Sequence, residues 1–133
     1  MIGLDTNILV RYFTLDDPKQ SGVAVEIIEG AAEEEEKMLI QPIVLCELVW
    51  VLESAYDYSK RDMLNLIERI LRTAQFEIAE KDSVWQALSD YRKGKGDFSD
   101  YYLGYANARE GAGMTFTFDS ALRGNPRFNV LNA

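Results

Sequence analysis

Short, mostly apolar runs alternate with longer amphipathic segments along the chain. Runs of this length, bounded by polar residues, are typical of buried strands. They comprise residues 1–4, 37–40, 76–78, 114–118 and 128–131. Because helical segments separate these strands, we expect a three-layer α/β/α sandwich with a mostly parallel central sheet.

Apolar residues recur every three or four positions in the intervening segments, which indicates helices. The predicted helices span residues 6–13, 17–30, 43–56, 59–71, 82–91 and 97–109, and the second of them ends either near Gly30 or within the four-glutamate run 33–36. We expect Thr6 to cap the first helix, Asp17 with Pro18 to start the second, and Ser59 with Asp62 to form a capping box. In the second helix, the predicted inward residues are Val23, Ile27 and Ile28.

The chain has 133 residues, 47% of them apolar and 27% charged. These values predict a single globular domain, residues 1–133. No apolar run approaches the roughly 20 residues of a membrane span. The first residues lack a secretory pattern, so we expect a cytoplasmic protein without a membrane partner. The single cysteine, Cys46, excludes an internal disulfide.

Histidine is absent, which excludes Ser-His-Asp catalysis and His-ligated zinc. The net charge of −8 argues against simple electrostatic binding of nucleic acid. It does not exclude a nucleic-acid enzyme, because metal ions held by carboxylates would reverse the local field.

Asp5 and Asp119 each follow a predicted strand, where ligands bind in parallel sheets. Either residue could simply cap a helix. Thr117 lies two residues before Asp119, so its hydroxyl should point the same way on an extended strand. Glu47 lies in an apolar helical stretch, where it is either exposed or turned toward a cation.

Asp97 and Asp100 can be explained as a helix cap and a first-turn acid, which the helix dipole favours whatever the function. Because they are three residues apart, both could also point at one place. Oxygen-only ligands are those that Mg²⁺ and Mn²⁺ prefer. Such an ion would remove the repulsion between converging carboxylates and activate water. A site of carboxylates without histidine therefore suits phosphodiester hydrolysis.

The order of these motifs resembles that of the PIN-domain nucleases. The matching segments are Asp5-Thr6-Asn7, Glu47 within a helix, Asp97-Phe98-Ser99-Asp100 and Thr117-Phe118-Asp119. The resemblance spans nearly the whole chain and is greatest to VapC-like ribonucleases of toxin–antitoxin pairs. Each motif alone is weak, whereas their order and spacing together are fairly specific.

The resemblance implies a Mg²⁺- or Mn²⁺-dependent endoribonuclease. It implies that Asp5, Glu47, Asp100 and Asp119 bind metal and act in catalysis. Asp97 matches a further acid, either a metal ligand or a helix cap, and Asn7 and Thr117 match supporting polar residues. The implied partners are RNA, a cognate antitoxin and a second copy of the chain. Tyr101 and Tyr102 depart from the family, which usually has smaller residues there.

Three alternatives belong to other classes. A receiver module needs an Asp after its third strand, where this chain has Ala79-Glu80. A dehalogenase-type phosphatase needs a second Asp at position 7, which is Asn. A catalytically inactive PIN-fold scaffold is the remaining alternative, although all four principal acids are present.

Five basic residues could contact the phosphates of an RNA substrate. The candidate phosphate contacts are Arg11, Lys60, Arg61, Lys93 and Lys95. Each of them is equally explained as a solvated surface residue.

Overall fold

The computed structural model describes residues 1–133, which form two compact units, Met1–Glu80 and Lys81–Ala133. Six helices and five strands alternate, and every strand pair is parallel. The α/β class expected from the sequence is therefore confirmed. The strands are β1 (Ile2–Gly3), β2 (Met38–Ile40), β3 (Phe76–Ile78), β4 (Thr115–Thr117) and β5 (Phe128–Val130). The helices are α1 (Thr6–Thr14), α2 (Pro18–Glu33), α3 (Pro42–Ala55), α4 (Lys60–Arg72), α5 (Lys81–Lys93) and α6 (Phe98–Arg109).

In the first unit, β2 lies between β1 and β3 in a three-stranded sheet. Met38 and Ile40, at alternate positions of β2, are both buried, as expected for a strand with a covered face. Helices α1 to α4 supply most of the remaining core. The buried side chains of α3 are almost wholly aliphatic, and Leu45, Leu48 and Leu52 are fully enclosed. The strongly apolar sequence of this helix is thus explained by burial.

Two of the three predicted helix starts in this unit are confirmed. Asp17 accepts from the backbone N–H of Gln20 at 3.1 Å, with Pro18 as the first helical residue. Ser59 and Asp62 form both hydrogen bonds of the capping box, at 3.1 and 2.9 Å. The assignment of Thr6 as a cap is wrong, because Asp5 occupies the cap position and Thr6 begins the helix.

The predicted inward face of α2 is wrong at two positions. Val23 and Ile27 are 51% and 38% exposed, whereas Ile28 is buried. The small residues Ala24 and Ala31 share the buried face with Ile28. The prediction failed because it placed the large apolar side chains inward, whereas the buried face of α2 consists mostly of small residues.

The second unit contains β4 and β5, helices α5 and α6, and a short 3₁₀ helix, Ser120–Leu122. Asp90 on α5 accepts hydrogen bonds from the Tyr105 hydroxyl at 2.8 Å and the Asn125 amide at 3.2 Å. Gly104 permits a close approach of α6 to β5, since a Cβ there would lie 2.9 Å from Phe128 Cε2. Gly111, with φ +100°, follows the end of α6 as expected for a C-terminal glycine.

Tyr101 is buried, and its size is accommodated by a loop that contains two glycines. Its hydroxyl accepts a hydrogen bond from the backbone N–H of Gly96 at 2.9 Å. A Cβ at Gly94 would lie 2.0 Å from the same hydroxyl. The departure from the family pattern at this position therefore leaves the packing of α6 intact.

None of the helices is both long enough and apolar enough to cross a membrane.

Candidate active site

Asp5 lies at the junction of β1 and α1, at the carboxyl end of the strand. Its backbone is extended, and its Oδ1 accepts from the N–H of Thr6 at 2.7 Å. The side chain is otherwise exposed. Asp5 is therefore a helix cap whose second carboxylate oxygen can meet a ligand. The two explanations that the sequence left open are compatible in this geometry.

Thr6 connects this junction to α3. It is buried, and its hydroxyl donates to Glu47 Oε1 at 3.0 Å across 41 residues of sequence. Asp5 and Glu47 are thus hydrogen-bonded to the backbone and side chain of the same residue. Sequence reasoning treated Thr6 only as a cap and missed this role; a hydroxyl beside a strand-end acid could have indicated it.

Glu47 lies on the exposed side of α3, although most of its sequence neighbours are apolar. Its face of the helix also carries Ile43 and Trp50, which are 67% and 71% exposed. Of the two alternatives for Glu47, the structure therefore has the exposed position. The hydrogen bond from Thr6 nevertheless orients the carboxylate.

Asp97 occupies the cap position of α6, but its side chain makes no capping hydrogen bond. Its backbone carbonyl accepts from the N–H groups of Asp100 and Tyr101 at 3.1 and 3.3 Å. The expectation that Asp97 caps the helix is met by its backbone position alone. Its exposed carboxylate remains available to a ligand.

Asp100 is half-buried in the first turn of α6. Burial, followed by the negative charges of Asp97 and Asp119, raises the pKa of its carboxyl above the usual range. A hydrogen bond with the backbone of Asp97 opposes that shift in pKa. Because the charges of Asp97 and Asp119 both act on Asp100, the three acids lie close together and form one negatively charged cluster in the second unit.

Asp119 follows β4 and begins the short 3₁₀ helix. Its Oδ1 accepts from the N–H of Ala121 at 2.9 Å, and its own N–H donates to Thr117 Oγ1 at 3.1 Å. Thr117 thus fixes the backbone that presents the acid. Asn7, the second residue of α1, is exposed beside Asp5 in sequence.

The predicted acids fall into two local groups. One joins Asp5 and Glu47 through Thr6, and the other contains Asp97, Asp100 and Asp119. No Lys or Arg forms an ion pair with any of the five. The oxygen-only donor set fits a hard divalent cation. No three side chains, as they stand in the structure, already form a metal-binding set.

A parallel α/β architecture with acids after strands and at a helix start is the arrangement expected of a PIN-domain nuclease. The PIN-domain family model matches residues 2–126, and the chain belongs to that family. It is similar to a VapC ribonuclease of Aquifex aeolicus (strain VF5). The two are 28% identical over 97 residues, which cover 73% of this chain and 71% of the relative. These matches confirm the resemblance inferred from the motifs.

Proposed function

We propose that this protein is a metal-dependent endoribonuclease and the toxin of a toxin–antitoxin pair. The observation that carries the proposal is a set of five carboxylates without basic partners in a PIN-family chain. Two of them follow strands, two stand at the start of α6, and Glu47 lies within α3. The ribonuclease name of the relative supports RNA as the substrate class. Because the family match spans both units, we treat residues 1–133 as one functional domain.

In this proposal, Asp5, Glu47, Asp100 and Asp119 bind Mg²⁺ or Mn²⁺ and act in catalysis, and Asp97 is an additional ligand. Once bound, such an ion supplies an activated water and charge neutralisation for phosphodiester hydrolysis. Thr6 orients Glu47, and Thr117 fixes the backbone of Asp119. Asn7 supplies a further polar group beside Asp5.

The proposed partners are a cognate antitoxin and a second copy of the chain. Ile43 and Trp50 are exposed on the same face of α3 as Glu47. A partner helix carrying apolar residues and one basic side chain would match this combination. The proposal includes a cytoplasmic location, where RNA and a newly made antitoxin are both present.

The deciding experiment is incubation of the purified protein with total RNA and Mg²⁺ or Mn²⁺, followed by mapping of the cut sites. We expect defined cuts that EDTA abolishes. Asp5→Asn should also abolish them, because the amide oxygen can still cap α1 but the charge is lost. Asp57→Asn is the matched control, since it removes an exposed acid at a left-handed position that Asn readily adopts.

Cleavage that persists in EDTA would contradict the metal mechanism. Absence of cleavage under all of these conditions, with an intact fold, would favour the inactive PIN-fold scaffold.

A further inference from the structure

A basic depression lies in the second unit, between the end of α5 and the segment that follows β4. It has a volume of about 540 Å³ and opens to the surface. Its walls include Lys93 and Lys95 on one side and residues 120–126 on the other. Arg123 is the third cation at its edge. A concentration of positive charge here is unexpected in a chain of net charge −8.

These cations have no acidic partner, in contrast to another candidate phosphate contact. Arg11 forms an ion pair with Asp16 at 3.1 Å. Lys93 and Lys95 form no ion pair, and Arg123 has only a 3.4 Å hydrogen bond to Asn132. Lys93 lies in the last turn of α5, where its positive charge interacts favourably with the helix dipole. That interaction accounts for a lysine at this position without a ligand. Lys95 lies beyond the helix, where that explanation does not apply.

The loop that carries Lys95 is held in place by side-chain packing. Gly94 and Gly96 flank the lysine, and a Cβ at Gly96 would lie 2.6 Å from Leu122 Cδ2. The Tyr101 hydroxyl fixes the Gly96 N–H at 2.9 Å. The loop is therefore fixed closely against α6 and the 3₁₀ helix.

One carboxylate lines the depression, and it is already engaged. Asp90 accepts hydrogen bonds from Tyr105 and Asn125, both within the second unit. These bonds stabilise the wall but do not neutralise the carboxylate, because both donors are uncharged. Three cations against one carboxylate nevertheless leave the lining with a net positive charge that faces solvent.

Both walls continue directly into the acidic cluster. Residues 93–96 immediately precede Asp97, and Ser120 immediately follows Asp119. A phosphate held by Lys93 and Lys95 would therefore lie one loop away from the acids that we assign to catalysis. We propose that this depression binds the phosphodiester backbone of single-stranded RNA beside the bond to be cut. This inference rests on the proposed function.

The test compares Lys93→Gln/Lys95→Gln with Lys19→Gln/Lys81→Gln in the full chain. The control pair removes the same charge at exposed positions on α2 and at the opposite end of α5. Binding of a fluorescent single-stranded RNA is measured in EDTA over a range of salt concentrations. The salt slope of the depression variant should fall by about 1.4, since each lost phosphate contact on a single strand contributes about 0.7.

Cleavage kinetics are measured on the same proteins with Mn²⁺. We expect KM to rise roughly tenfold in the depression variant, in line with the lost phosphate contacts, with kcat little changed. Equal RNA affinity and KM in the two double variants would overturn the inference. A parallel titration with inorganic phosphate tests whether the depression binds a free anion instead of RNA. Lysine-dependent binding of phosphate without lysine-dependent binding of RNA would also overturn it.

If the wild-type chain cuts no RNA, the proposed function fails. The binding measurement in EDTA still tests the depression independently.

Discussion

At the scale of single residues, the acids differ in how their carboxylates are supported. Asp5 and Asp119 each accept a backbone N–H near the start of a helix, whereas the Asp97 side chain does not. Asp100 carries the raised pKa that follows from burial and two neighbouring charges. Replacement by Asn therefore removes charge at each site but disturbs the local hydrogen bonds differently.

We predict that Asp100→Asn abolishes cleavage and that Asp97→Asn lowers it by a smaller factor. Asp100 is half-buried and influenced by both other acids of its cluster, whereas Asp97 is exposed at the edge of α6. The free energy of unfolding of Asp97→Asn should match that of the wild type within about 0.5 kcal/mol, because no side-chain cap is lost.

The measurement is single-turnover cleavage of one mapped RNA site, with melting temperatures recorded for each variant. Equal and complete loss at both positions, with unchanged melting temperatures, would show that Asp97 is as essential as Asp100.

A second prediction concerns Asp16, which joins the end of α1 to α3. Its carboxylate accepts from the Tyr56 hydroxyl at 2.7 Å, the Thr14 hydroxyl at 2.8 Å and Arg11 at 3.1 Å. The bond from Tyr56, then that from Thr14, lowers the pKa of Asp16. A lowered pKa stabilises the fold at neutral pH, and the contribution is lost as pH falls through the folded-state pKa.

Asp16→Asn should therefore lower the melting temperature at pH 7, and the difference from wild type should shrink below about pH 3.9, the ordinary pKa of Asp. Thermal unfolding at pH 7, 4 and 3 checks this, with Asp57→Asn as the control. A difference that stays constant over this range would show that the charge of Asp16 does not stabilise the fold.

At the scale of helices and strands, local features were predictable and neighbour-dependent ones were not. The Asp17-Pro18 start and the Ser59–Asp62 capping box involve residues at most three apart, so the sequence contains the whole interaction. The exposure of Val23 depends on which elements cover α2. That information comes from distant parts of the chain.

The loop before α6 provides a prediction at this scale. Gly94→Ala would place a Cβ 2.0 Å from the Tyr101 hydroxyl, and overpacking of this kind costs about 1–3 kcal/mol. Tyr101→Phe leaves the Gly96 N–H without its partner, at a cost of about 1–3 kcal/mol. The double variant should lose less than the sum, by at least about 0.5 kcal/mol, because the clashing oxygen is gone.

Urea unfolding of the four proteins measures this coupling. Gly113→Ala is the control, since a Cβ there meets nothing within 4 Å. Additive losses would contradict the close packing of Tyr101 against Gly94.

At the scale of the whole molecule, the motif order identified the family, whereas single positions did not determine their surroundings. Glu47 illustrates the limit. Its apolar sequence neighbours left two alternatives open, an exposed position or a carboxylate turned toward a cation. In the structure its face of α3 is exposed, and its hydrogen-bond partner is Thr6, 41 residues away. The proposed partners of this exposed face can be tested without touching the acids.

We predict that Ile43→Ser/Trp50→Ser weakens binding of the antitoxin at least roughly tenfold, since exposed aromatic anchors dominate such interfaces. The fold should be unaffected, because both side chains are more than half exposed. Val23→Ser/Ile27→Ser removes a comparable exposed apolar pair from α2 and should leave binding unchanged.

Co-expression of each variant with the protein encoded by the neighbouring open reading frame, followed by size-exclusion chromatography and an RNase assay, measures complex formation and inhibition. Loss of self-association with normal inhibition by the neighbour would assign this face of α3 to the homodimer instead. If the neighbouring protein neither binds nor inhibits the wild-type chain, the toxin assignment fails, while RNA cleavage in the same assay would still support the nuclease.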